Sequence, residues 1–204
     1  MYSSIGMSLS KEKAAGMIGS ITERPALLHG TSVEAALKMF ETGVLPSGRA
    51  CHDLNGYLFF IPVDCLPAYW IFSQALEEVR LYAESNAEEV YIVEQLKAAG
   101  LSERHAEHMM CNWIYGERFC VPEAERKKAE RIYDGGLCEQ AKKRKGVVLE
   151  VSTDVLGLDI GEDPEQEGLR LRCPGGLPAE YVRKIEPQGA EETETLTAYL
   201  IRIS

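Results

Sequence analysis

Four histidines stand among the residues of this chain that could do chemistry. His29 closes the short apolar run Pro25-Ala-Leu-Leu and is followed at once by Gly30-Thr31-Ser32. A histidine where a buried strand gives way to a loop occupies a position where sites are commonly built. Its imidazole can exchange a hydrogen bond with a substrate hydroxyl. His52-Asp53 could act as an imidazole–carboxylate base, but loop turn residues are the preferred reading. His105, His108 and Cys111 recur at i, i+3 and i+6 with Cys120 beyond. Zinc asks for four ligands in a closed geometry, and this is not the spacing of a finger. The expectation is therefore a polar helix face with a buried cysteine and no metal. The basic runs 126–131 and 142–145 could touch phosphates, but they read more readily as solvated helix surface. The acidic stretch Gly161-Glu-Asp-Pro-Glu-Gln-Glu167 is either an exposed loop or a source of carboxylates for a site.

The elements that must position these groups are read from composition and pattern. The chain has 204 residues, 45% of them hydrophobic and 26% charged, which suits one core-forming domain. A net charge of -10 argues against a general polyanion binder. No run of about 18 apolar residues is present, so no membrane span is expected. Met1–Met17 lacks a basic region followed by a long apolar stretch, so a cytoplasmic protein is expected, with export as an effector without a cleaved signal left open. The six cysteines are scattered without a C-x-x-C pair and read as reduced thiols.

Residues 1–24 form a leading helix or arm. Pro25–His29 reads as a buried strand. A helix starts at Thr31, where Thr31 and Glu34 make a capping-box pattern, and Gly43 ends it. Residues 44–56 are a loop, and Tyr57–Ile61 an aromatic strand. A helix capped by Asp64 runs to about residue 85 on the stripe Ala68, Ile71, Phe72, Ala75, Leu76, Val79 and Ala83. Residues 86–145 read as helices broken near Gly100, Gly116, Pro122 and Gly135-Gly136. Strands are expected at 146–151, 169–173 and 181–185, with a last one at 196–203. Strands and helices do not alternate regularly, so the fold class is α+β.

The order of these pieces resembles the ADP-ribosyltransferase superfamily, in the branch shared by diphtheria-like toxins and poly-ADP-ribose polymerases. An apolar pair, His29-Gly30-Thr31, a capped helix and Gly43-Val44-Leu45-Pro46 match the family's opening. The aromatic strand and Ala68-Tyr69 in the next helix continue it. The resemblance covers roughly residues 25–85 and 146–190, and residues 86–145 look like a helical insertion into a split β-sheet core with flanking helices.

The resemblance implies that NAD+ is the substrate and that its nicotinamide–ribose bond is cleaved through an oxocarbenium-like ribose. It implies a pocket walled by His29, Gly30, Thr31, Tyr57 and Tyr69, with His29 on a ribose hydroxyl, the Gly30 backbone on nicotinamide, and the tyrosines stacking. The family usually shows a glycine, one residue, then tyrosine; here Gly56 directly precedes Tyr57 and Leu58 takes the tyrosine's slot. A one-residue slip on a strand changes the face. The catalytic acid is assigned to Glu167 first and Glu165 second. Aligning on Gly176-Leu-Pro-Ala-Glu180 instead puts the acid's slot near Arg172 and leaves no carboxylate. The activity implied is mono-ADP-ribosylation of a protein or nucleic acid, with 86–145 recognising substrate or gating the site. Two alternatives stay open. An RNA 2'-phosphotransferase-like enzyme is suggested by Arg49 after Pro46-Ser-Gly, although only about 25 residues precede the motif and such enzymes carry an N-terminal lobe. The other is a binding module that keeps the fold without a working acid.

Overall fold

The computed structural model describes residues 9–21, 26–46, 57–63, 69–158, 160–162, 169–173 and 175–203. Helix α1 spans Lys11–Met17, capped by the Ser10 hydroxyl, which accepts from the Lys13 N–H at 3.3 Å. Strand β1 is Ala26–Thr31. Helix α2, Val33–Thr42, starts later than its sequence suggests. Thr31 is held in the strand by pairing with Val147, so the cap falls to Ser32, whose hydroxyl accepts from the Ala35 N–H at 3.2 Å. Gly43 ends α2 in the left-handed conformation, φ 73°. The loop expected from residue 44 opens with a short strand, β2, Val44–Leu45. Strand β3 is Tyr57–Val63, and α3 runs from Tyr69 to Ala98. Then come α4, Glu103–Ile114, α5, Glu123–Asp134, and α6, Leu137–Ala141. Strand β4 is Val147–Val151. Strands β5, Ile160–Glu162, β6, Leu169–Arg172, β7, Leu177–Pro178, and β8, Val182–Pro187, precede the last helix, α7, Ala190–Arg202.

The fold is mixed α+β. Its antiparallel strands run in the order β5-β6-β3-β1-β4-β8, and β2 pairs with β7 apart from them. The long sheet is joined unevenly at its middle. β1 pairs with β4 along Leu27–Thr31, but with β3 only along Ala26–Leu28, opposite Val63–Ile61. Beyond Leu28 the two strands part, and residues 57–60 of β3 pair with β6 on their other side. The sheet is thus two ladders sharing a short seam.

One face of the β1–β4 ladder carries the main core, where Leu27, Leu149 and Val151 meet Phe40 and Met39 of α2 and Leu196 and Tyr199 of α7. On the other face α3 lies against Leu28 and Val148 through Val79 and Ala83. A Cβ at Gly30 would sit 2.3 Å from the Val79 carbonyl oxygen and 2.6 Å from the Ala83 nitrogen, so the helix backbone itself rests on this glycine.

Two expectations need correction. The helix expected to stop near residue 85 continues for 30 residues in all, because no glycine or proline interrupts it before Gly100. Within residues 86–145, α3 carries the sheet's packing into a second core built from Ile92, Leu96, Met110, Ala129 and Leu137. The final stretch, 196–203, is helix rather than strand. Its branched and aromatic residues suggest β structure, but Glu191 and Glu192 favour a helix N-terminus, and Glu192, Leu196 and Tyr199 bury one helical face.

The helical breaks fall where the glycines and Pro122 stand. Of the described cysteines, Cys120, Cys138 and Cys173 are free thiols, and Cys111 is buried. Asp64, Cys51 and Cys65 lie outside the described residues.

Candidate active site

His29 stands where β1 and β3 part. Its Nδ1–H donates to the Phe59 carbonyl at 2.7 Å. A carbonyl only accepts, so Nδ1 carries the proton and Nε2 is left as an acceptor. The ring packs against Phe60, with centroids 5.4 Å apart at 43°. Burial pushes the imidazole pKa below its ordinary value of 6.5, and the bond to Phe59 opposes this only in part. The group is neutral at pH 7.

Gly30 and Thr31 follow on the same strand, paired with Val148 and Val147. Both are buried. The Gly30 carbonyl accepts from the Asn86 Nδ2 amide of α3 at 3.3 Å, and the same amide donates to the Tyr82 carbonyl at 2.9 Å. Nothing in the sequence marks Asn86 beyond a polar residue inside a helix.

Tyr57 begins β3, its backbone opposite Arg172. Leu58 and Phe60 are buried in the main core, on the face that His29 shares through its partner Leu149. Ile61 packs on the opposite face with α3. In the even register of β3 the residue nearest the strand start on the His29 face is therefore Leu58. Tyr69 is the first residue of α3. The side chains of Tyr57 and Tyr69 lie outside the described residues, as do Glu165, Glu167, Arg49, His52 and Asp53. The stretch bearing the two glutamates connects β5 to β6, and β6 begins at Leu169 opposite Phe60, the ring that touches His29.

The lesser candidates are absorbed by packing and pairing. His105 Nδ1 meets Glu125 Oε1 at 2.9 Å, while His108 stacks on Phe119 at 4.6 Å and 13°. No group of three metal-binding side chains forms among the described residues. In the basic runs, Lys127 pairs with Glu123 at 2.6 Å and Lys145 with Glu84 at 2.7 Å. Arg144 pairs with Glu191 and lies over the Tyr91 ring. No helix among the described residues is long and apolar enough to cross a membrane. Compared with protein families, curated proteins and solved structures, the chain matches none.

Proposed function

We propose that this chain is an NAD+-dependent mono-ADP-ribosyltransferase built on an ADP-ribosyltransferase-like core, acting on a protein or nucleic-acid acceptor. The observation that carries this reading is the opening between β1 and β3, with a neutral His29 fixed at its edge. An unprotonated Nε2 suits a hydroxyl donor, so it would accept from a ribose hydroxyl and fix the cofactor's pose. The C1'–nitrogen bond breaks, nicotinamide leaves with the electron pair, and the ribose becomes oxocarbenium-like. A carboxylate from Glu167 or Glu165 would stabilise that cation. The acceptor's nucleophile then bonds to C1' and releases its proton. The start of β6 opposite Phe60 supports an acid from this connection.

Buried Leu58 on the His29 face favours a second reading, a binding module that holds a nucleotide without turning it over. It offers no aromatic face to a nicotinamide ring.

Nicotinamide release from NAD+, with mass spectrometry for self-modification, tests the proposal. His29→Asn is the informative variant, because its amide can still donate to the Phe59 carbonyl while Nε2 is lost. Release by the wild type, reduced at least 100-fold in His29→Asn and Glu167→Ala, is expected. A rise in melting temperature with millimolar NAD+ but no release, with and without cell extract as acceptor source, supports the binding module. No release and no thermal shift overturns both readings.

A further inference from the structure

Two side chains bond to backbone carbonyls where β1 and β3 part. Pro62 has no N–H and stands opposite Leu27, so the hydrogen-bonded positions flank it at Ala26–Val63 and Leu28–Ile61. The next such position would bring Gly30 opposite Phe59. Instead, the carbonyls of these two residues bind side chains: His29 Nδ1 donates to Phe59, and Asn86 Nδ2 donates to Gly30. Both partners of the Asn86 amide are carbonyls, which fixes its nitrogen end toward them and uses both N–H donors. Asn86 lies on α3 just beyond Ala83, which packs on the sheet, and before Ile92, which belongs to the helical core.

We infer that Asn86 is a positioning residue: it holds the Gly30 carbonyl at the open edge of β1 and ties that edge to the helix leading into the 86–145 region. Its effect on NAD+ rests on the reading above; its effect on the strand edge does not. Asparagine and aspartate share a shape, but an ionised carboxylate only accepts and would face the Gly30 carbonyl acceptor to acceptor. A residue kept for packing would tolerate the aspartate.

Asn86→Asp and Asn86→Ala would be measured in the full chain by amide hydrogen exchange without ligand and by NAD+ affinity. Exchange across residues 29–31 is expected to rise at least threefold in both variants and most in Asn86→Asp, with the remainder of β1 unchanged. NAD+ affinity is expected to fall at least tenfold in Asn86→Asp while far-ultraviolet circular dichroism stays that of the wild type. Wild-type exchange at 29–31 in Asn86→Asp overturns the assignment, as does wild-type affinity in a variant that binds NAD+. If the wild type itself does not bind NAD+, faster exchange at 29–31 upholds the role of Asn86 at the edge and discards only the NAD+ reading.

Discussion

In its two halves α3 packs by different means. Against the sheet it presents backbone: the Val79 carbonyl and Ala83 nitrogen press on Gly30, and the buried side chains there are small, Val79 and Ala83. In the helical region the same helix presents larger side chains, Ile92 and Leu96, to Met109, Met110 and Leu137. Backbone contact fixes position tightly because neither surface can rotate away. Side-chain contact fills volume and adjusts more readily. The tight end lies beside the candidate site and the adaptable end lies away from it, which suits a site that needs fixed geometry.

The largest effect should come from breaking the tight end. Gly30→Ala places a methyl group against backbone on a paired strand, and a loss of more than about 3 kcal/mol is expected, read from urea midpoints. Met110→Ala breaks the adaptable end. It should cost about 2–3 kcal/mol, with hydrogen exchange rising in α4–α6 ahead of β1 and β4. Equal losses of protection in both regions would make the two cores one cooperative unit.

The next effect is on pH dependence. The unfolded His29 takes a proton near 6.5, whereas the partly buried, desolvated imidazole of the folded chain resists it to lower pH. The unfolded state therefore binds more protons as pH falls below about 6.5, and stability drops by up to about 1.4 kcal/mol per pH unit in that window. His29→Asn should flatten the curve there and leave it unchanged above pH 7. A curve that keeps its slope would assign the titration elsewhere.

The smallest effects come from the paired helix caps. Ser32 and Ser102 make the same bond, each accepting at 3.2 Å from an N–H three residues on, one buried beside the sheet and one exposed in the helical region. Each alanine variant should cost about 1 kcal/mol. If the chain binds NAD+ as proposed, Ser32→Ala should also weaken that binding, because Ser32 links Thr31 to the start of α2, and Ser102→Ala should not.

Much of this frame is legible in the amino-acid sequence, wherever local signals agree. His29-Gly30-Thr31, the stripe Val33-Ala36-Phe40 and Gly43 all point to strand, helix and stop. The misread end, 196–203, has residues suited to either state, and the helix there is decided upstream by Gly189, Glu191 and Glu192 and by burial against α2. β2 and β7 are too short to carry a pattern. In the site, His29 is marked by its neighbours, while Asn86 becomes visible only when α3 is laid across β1. The parting of the strands is likewise a tertiary fact, accompanied by side-chain bonds to Phe59 and Gly30 and by no local signal.

The 30-residue length of α3 sets an angular relation as well as a distance. Each residue of an α-helix adds about 1.5 Å and a turn of about 100°. One residue inserted between Asn86 and Ile92 would leave the sheet end seated on Gly30 yet swing the helical region about 100°, a little over a quarter of a circle, around the rod. Four inserted residues would return it to within about 40° of its starting azimuth. The compass bearing of that region relative to the opening between β1 and β3 is thus counted out in residues along one helix.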